Sequence, residues 1–217
     1  MDFIYKTVLE KARTEYIVDR SRFITTIIPC ESRDEVDAFF GEIRKEFKDA
    51  THNVPAFILG NKMELKWASD DGEPQGTSGP PILKLLEAKG LTNLAVVVTR
   101  YFGGIKLGTG GLVRAYTQSV ENAIKEAGIA GAALYNGLNV IMNYSDYSKF
   151  TNYKFPVDMK NRLKIGDPSF QENVGFDLSC PVEDTDNLKR ILMDMTNGEI
   201  TISERGEMLC RFALTLD

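Results

Sequence analysis

Val96-Val-Val-Thr-Arg-Tyr-Phe-Gly-Gly-Ile-Lys-Leu-Gly-Thr-Gly-Gly-Leu-Val-Arg-Ala-Tyr116 is the stretch from which the rest of this chain can be read. An apolar, β-branched run ends at Arg100, a glycine-rich connection with one lysine follows, and an amphipathic helix begins with Arg114 near its first turn. Five glycines in nine residues (Gly103, Gly104, Gly108, Gly110 and Gly111) each cost backbone entropy, so helix or strand stability does not explain them. They point to close backbone approach, either by another protein segment or by an anionic ligand. A helix opening offers unpaired N–H groups and the positive end of its dipole to an anion, and Arg100, Lys106 and Arg114 strengthen that reading. No Gly-Lys-Ser/Thr ending is present and Gly-x-Gly-x-x-Gly is not matched in frame, so this is neither a P-loop nor a dinucleotide fingerprint. Tight strand-to-helix packing that only glycine permits stands beside the anion reading.

Upstream, the pattern predicts strands at Thr7–Leu9, Glu15–Val18 and Arg22–Pro29. A helix follows, opened by a capping box of Ser32 and Glu35 and carrying Val36, Phe39, Phe40, Ile43 and Phe47 on one face. Phe57–Leu59 and Glu64–Trp67 read as a strand pair around Gly60-Asn61. A dense run of turn formers, residues 69–81, leads into a helix opened by Pro80 and Pro81 and stopped at Gly90. Leu94–Tyr101 is then a buried strand. The helix after it turns Leu112, Val113, Tyr116, Val120, Ala123 and Ile124 to one face and ends at Gly128. The small residues Gly128–Ala133 mark the candidate boundary, giving an N-terminal domain over 1–130 and a C-terminal domain over 131–217. In the latter the expected order is strand 134–142, a short helix from Ser145 to about Tyr153, strands near Asp158–Ile165 and at Gly175–Cys180, and a helix from Asp184. A last pair at Glu199–Ser203 and Met208–Leu216 turns around Arg205-Gly206. This β-α-β-β-α-β order is the split-βαβ, ferredoxin-like pattern.

Composition narrows the chemistry. The 217 residues are 43% hydrophobic and 26% charged with a net charge of −5, ordinary for a soluble globular protein and contrary to an all-over basic nucleic-acid binder. Residues 131–217 hold 9 Lys+Arg against 13 Asp+Glu, whereas Ala88–Val120 holds four basic residues and no acid. The glycine stretch thus lies in a locally positive segment. No apolar run is long enough to span a membrane, and the first residues lack the basic region and apolar core of a signal peptide. Cys30, Cys180 and Cys210 show no CxxC spacing, which predicts reduced, core-packed thiols and a cytoplasmic protein. With His52 the single histidine, a multi-histidine metal site is excluded.

Other candidates are weaker. Asp70, Asp71 and Glu73 have the oxygen ligands for a hard cation, but aspartates in such turns ordinarily bind local backbone N–H groups. They could instead pair with Arg100 or Arg114, which would join the two motifs into one constellation. His52, placed just past a helix end, fits an orienting hydrogen bond better than a catalytic role. Trp67, Tyr101 and Phe102 are expected in the core; an exposed Tyr101 beside Arg100 would suit single-stranded RNA. No metal and no cofactor is expected.

Val97-Val-Thr-Arg-Tyr-Phe-Gly-Gly-Ile-Lys-Leu-Gly108 resembles the signature of the YigZ/IMPACT family. Ser21-Arg22-Phe23, Asp49-Ala-Thr-His52 and the segment from Ser69-Asp70-Asp71-Gly72-Glu73-Pro74 through Gly76-Thr77 resemble its other blocks, and the downstream half resembles the ferredoxin-like domain that bacterial members add, so the likeness spans essentially the whole chain. Bacterial members often carry a cysteine soon after the histidine; this chain has Asn53 and Val54, so no thiol-based role carries over. The resemblance implies an α+β protein of two α/β sandwich domains. The N-terminal one would be like domain 2 of ribosomal protein S5, and the C-terminal one ferredoxin-like, similar to the last domain of elongation factor G. It implies no established enzymatic chemistry. Eukaryotic relatives act in translational control, competing for a protein that activates a starvation-responsive kinase. Bacterial relatives are suspected of nucleic-acid or ribosome association.

Two functions follow as expectations. The first is a non-catalytic, translation-associated binding protein that meets RNA, the ribosome or a translation-control protein. It would use Arg100, Tyr101, Gly103, Gly104, Lys106, Gly108, Gly110, Gly111 and Arg114, with His52, Asp70, Asp71 and Glu73 alongside. The second is a nucleotide- or phosphate-binding enzyme in which the 103–111 stretch holds phosphate and Asp70, Asp71 or Glu73 places Mg²⁺ or acts as base. A third, blander role is protein docking through the acidic C-terminal domain. No membrane partner is expected, and the oligomeric state is left open.

Overall fold

The computed structural model describes residues 3–214. The chain divides into two compact units, one of residues up to Ala132 together with those from Arg211 on, the other Ala133–Cys210. A single boundary along the sequence does not provide for that return of the last residues.

In the first unit, β1 (Tyr5–Val8), β2 (Ala12–Val18) and β3 (Ser21–Pro29) precede α1 (Arg33–Glu46); β4 (His52–Leu59), β5 (Leu65–Ala68), α2 (Gly79–Ala88), β6 (Leu94–Tyr101) and α3 (Gly108–Ala127) follow. Five strands form one sheet in the order β2-β3-β6-β4-β5, every neighbouring pair antiparallel. β6 lies at its centre and is apolar on both sides. Val96 and Val98 pack with Ile82, Leu86, Leu112, Tyr116 and Val120 of α2 and α3, while Ala95 and Val97 pack with Val36, Phe39 and Ile43 of α1. A strand buried on both faces explains why this run shows no polar alternation. β1 stands apart from this sheet and pairs with the opening residues of β7 (Ile129–Met142), Tyr5 opposite Ala132 and Val8 opposite Ile129.

Local rules set the helix ends. Ser32 Oγ accepts from the Glu35 N–H (3.2 Å), and Glu35 Oε2 accepts from the Glu31 N–H (2.8 Å). The expected capping box is therefore present, with its return arm one residue upstream. Pro80 and Pro81 occupy the first turn of α2, where a missing N–H costs nothing. Gly108, Gly110 and Gly111 belong to the first turn of α3, not to the connection before it.

The second unit holds the later residues of β7, then α4 (Tyr144–Asn152), α5 (Val157–Lys160), β8 (Lys164–Ile165), β9 (Ser169–Phe170), β10 (Val174–Pro181), α6 (Thr185–Thr196) and most of β11 (Ile200–Ala213). β10 pairs antiparallel with β7 and with the short β8 and β9, and β11 pairs with β7. The third strand of the split-βαβ pattern is thus inserted between its first and second, and the last lies beside the first. The fold is α+β, two α/β units, the second ferredoxin-like. Leu138, Val140, Val174, Phe176, Leu178, Leu188 and Leu192 are among its core residues.

Three local expectations need correction. The strand near Asp158–Ile165 is a helical turn followed by two strand residues; Pro156, at the N-cap of α5, fixes its φ at a value ready for a helix opening. The hairpin around Arg205-Gly206 is one continuous strand, with Gly206 at φ +89° inside it. Leu216, where the last strand was expected to end, lies outside the described residues. Among the aromatics expected in the core, Trp67 and Phe102 are 42% and 46% exposed. Cys30 and Cys180 are buried and Cys210 half-buried. Burial, then the charges of Glu35 and Glu31, pushes the Cys30 thiol up to about 12.

Candidate functional site

The predicted residues separate into an interior network and an exposed helix opening. The network starts near the end of β6, where Arg100 points inward with its side chain 6% exposed. Its Nη1 donates to Glu73 Oε1 at 2.6 Å, and Glu73 is itself only 3% exposed at the side chain. Nη2 donates to Ser21 Oγ at 3.3 Å, and that hydroxyl also accepts from the Gly103 N–H at 3.2 Å. Arg100 Nε is buried without a partner among the described residues. The guanidinium carbon lies 5.4 and 5.5 Å from the ring centroids of Phe23 and Phe102, a distance at which ring quadrupoles attract a cation.

Glu73 gathers further donors. The Tyr116 hydroxyl donates to Glu73 Oε1 at 2.7 Å. Burial, and then the negative charge of Glu73, pushes the Tyr116 phenol well above its ordinary range, so it keeps its proton and donates. His52 Nδ1 donates to the Asp71 carbonyl (2.8 Å), which leaves Nε2 facing Glu73 Oε1 at 3.7 Å. The histidine opens β4 instead of following a helix, and it makes an orienting hydrogen bond. One constellation results: Glu73 pairs with Arg100 across 27 residues of sequence, the union of motifs that charge complementarity allowed.

The two aspartates are held by the backbone. Asp70 accepts from the N–H groups of Gly76 (2.8 Å), Ser78 (3.1 Å) and Gly79 (3.0 Å) and from the Ser78 hydroxyl (2.7 Å). Burial raises its carboxyl, but the bond from Gly76 and then those from Ser78 and Gly79 outweigh burial and hold it below the ordinary aspartate range. Asp70 thereby caps α2 from a distance. Asp71, at φ +45°, accepts from the Asn53 N–H (2.7 Å) and lies 3.6 Å from Arg44. These oxygens are engaged by the protein itself.

The glycines have different jobs. A Cβ at Gly103 would sit 2.0 Å from the carbonyl carbon of Arg20, so backbone-to-backbone packing requires glycine there. Gly104 and Gly108 face open space at φ +85° and +71°. Gly110 has a helical backbone, with only the Arg114 side chain near, at 3.6 Å. Lys106, Gly108, Gly110 and Arg114 are exposed. The first turn of α3 holds no acid and its N-cap, Leu107, supplies no side-chain bond, so its N–H groups remain unengaged by any capping side chain. Lys106 and Arg114 have no ion-pair partner among the described residues. A cleft of about 370 Å³ opens beside them, lined in part by Tyr16, Asp19, Leu107, Gly111 and Arg114. Tyr101 stays at the sheet end, its hydroxyl donating to Asp49 (3.0 Å).

Sequence reasoning missed Ser21 and Tyr116 as members of the network. Tyr116 reads as one more apolar helix position, although a buried phenol needs a hydrogen-bond partner. That need was the available signal.

The fold and the site define a two-unit α+β protein built on a glycine-framed helix opening and a buried carboxylate–guanidinium pair. The chain belongs to the IMPACT family. The Impact N-terminal domain matches residues 19–124. IMPACT family member YvyE of Bacillus subtilis (strain 168) is 34% identical over 204 residues, 94% of this chain and 92% of its own. IMPACT family member YigZ of Escherichia coli (strain K12) is 41% identical over 112 residues, 50% of this chain and 54% of its own. A crystal structure described as that of a hypothetical protein covers 98% of both chains at 26% identity and a TM-score of 0.57.

Proposed function

We propose that this chain is a non-catalytic, translation-associated regulatory protein of the cytoplasm that binds through the opening of α3. Its ligand is RNA, on the ribosome or free, or an acidic surface of a translation-control protein. Family membership supports the translational setting. Among the described residues no helix is long and apolar enough to cross a membrane.

The observation that carries the site is the pairing pattern of the cations. Arg100 is consumed inside, whereas Lys106 and Arg114 stand exposed beside helix N–H groups that no capping side chain engages, and neither makes an ion pair among the described residues. Such a place attracts phosphate or carboxylate from outside. The enzymatic alternative finds little support in the geometry, because Asp70 is spent on the α2 opening and Glu73 on Arg100 and Tyr116. The test is binding of labelled RNA and of ribosomes across a salt series. The logarithm of the affinity for RNA phosphate should fall linearly with the logarithm of salt concentration, and Lys106→Ala with Arg114→Ala should flatten that slope. Unchanged affinity and slope in the double variant would rule this site out.

A further inference from the structure

We infer that the free edge of β5 pairs with β5 of a second copy of this chain, antiparallel and about a two-fold axis at Trp67. This surface uses none of the α3 residues and does not rest on the reading above. β5 ends the five-stranded sheet, with β4 its one partner strand among the described residues. Register decides which of its backbone groups are free. The Ser69 N–H donates to the Pro55 carbonyl at 3.2 Å, in the same register that sets Trp67 opposite Phe57 and Leu65 opposite Leu59. Backbone groups alternate in direction along a strand, so Leu65 and Trp67 also turn their N–H and C=O toward β4. Those of Lys66 and Ala68 turn outward.

Side chains alternate as well, and they make one face of this edge apolar. Phe57 and Leu59 belong to the core cluster under α1, so Leu65 and Trp67, directly opposite them, lie on that face. The Trp67 ring is 6.1 Å from that of Phe57 and 6.3 Å from that of Phe40 on α1, so contact as well as alternation places these residues together. The helix nevertheless leaves the edge uncovered: Leu65 is 47% and Trp67 42% exposed. Adjoining exposed apolar side chains of this size mark an interaction surface. A sheet edge is ordinarily guarded by a charge, but Lys66 is drawn onto α2 by Glu87, at 2.8 Å.

Two features select a second copy as the occupant. The first is the backbone, which is complementary to itself when run antiparallel. Lys66 of each copy then exchanges N–H···O=C bonds with Ala68 of the other. The two Trp67 residues meet at the intervening non-hydrogen-bonded position, where side chains approach most closely. The second feature is charge. The rim holds Lys62 and Glu64 in the β4–β5 turn, Lys66 with Glu87, and Arg33 with Asp37 beside the Phe57 ring, opposite signs in equal number. Across a two-fold axis such a rim is complementary to its own copy, whereas a strongly charged partner finds no excess of either sign to select it. The edge is short, so the interface falls at the small, weak end of the range and should exchange with monomer.

The experiment is sedimentation equilibrium of the full chain from about 10 µM to about 1 mM, with tryptophan fluorescence and hydrogen exchange followed over the same range. Trp67 is the single tryptophan, so its emission reports on this edge. A monomer–dimer equilibrium should appear, the emission should move to shorter wavelength with concentration, and the Lys66 and Ala68 amides should gain protection. Ala68→Pro deletes an outward N–H that β4 does not use, an orientation in which an edge strand tolerates proline. It should weaken the dimer about ten-fold or more. Leu65→Lys, on an exposed side chain, should weaken it as much and carries the test should the proline variant fold poorly. Lys106→Ala with Arg114→Ala should leave the dimerisation constant unchanged, which separates this surface from the one on α3. A chain that stays monomeric throughout would leave the edge to another protein and overturn the inference. So would association beyond two copies, or a dimer that both edge variants form as tightly as wild type.

Discussion

Arg100 and Arg114 lie fourteen residues apart on either side of one glycine-rich connection, yet the fold puts them to opposite uses. Arg100 is shut inside with Glu73, Ser21 and two aromatic rings, whereas Arg114 stands in solvent at the mouth of α3. A cation with an internal partner sets structure; a cation left without one is available to a ligand. Composition alone gives both residues the same weight, and only the position of the carboxylates separates them. Mutations that exchange or erase the two roles can break or sharpen this contrast.

The largest effect is expected at the interior pair. Glu73→Ala leaves Arg100 buried and uncompensated and should cost about 3–5 kcal/mol, read as a lower urea midpoint at unchanged slope. The double variant Glu73→Leu with Arg100→Met removes both charges and should recover most of that loss. A midpoint near wild type for Glu73→Ala alone would show that the pair is not a structural element.

Gly103 comes next. Its missing Cβ lies against the Arg20 backbone, which has no rotamer to move. Gly103→Ala should therefore destabilise by about 1–3 kcal/mol through overpacking. Hydrogen exchange of the amides around Arg20 and Ser21 would report the displacement; unaltered exchange together with unaltered stability would contradict the close approach.

Asp70 is a smaller structural element with a pH signature. Its carboxyl is held below its unfolded value by the N–H groups at the α2 opening, so the contribution is fully present above about pH 3.9, the ordinary aspartate value. It is lost as pH falls through the lower, folded value. Asp70→Ala should cost about 1 kcal/mol at pH 7 and less in acid. Urea midpoints for variant and wild type should converge as pH approaches 2; a gap that stays constant from pH 7 to pH 2 would exclude the carboxylate as the cause.

How much of this the sequence discloses depends on range. β6 and the run of α3 are legible because a β-branched segment and a 3.6-residue stripe are local signals, and their observed bounds, Leu94–Tyr101 and an end at Ala127, follow them closely. The ferredoxin-like order is legible for the same reason. The sorting of the glycines is not: Gly103 and Gly110 look alike until Arg20, 83 residues away along the chain, is brought against one of them. The Tyr116–Glu73 bond and the role of Ser21 are likewise hidden, because each joins elements that share no local pattern. The Arg205-Gly206 pair failed as a turn signal because a positive φ inside a long strand uses the same residue as a hairpin does.

A small stability effect of the opposite sign, and the one that bears most directly on function, is expected at Gly110. Its backbone is helical and a Cβ there meets only the tip of Arg114. On conformational grounds Gly110→Ala should stabilise the protein by about 0.5–1 kcal/mol. A residue that makes the fold less stable than its nearest alternative needs another reason to be present, and exposed N–H groups beside Lys106 and Arg114 supply one: a bulky anion can approach that backbone only where no side chain intervenes. Gly110→Ala should therefore raise the urea midpoint while weakening RNA or partner binding, and Lys106→Ala with Arg114→Ala should weaken binding while leaving the midpoint within about 0.5 kcal/mol. Opposite signs for stability and binding in one substitution would mark the opening of α3 as a surface kept for a ligand. A Gly110→Ala protein that is both more stable and fully competent to bind would show that no ligand approaches that backbone.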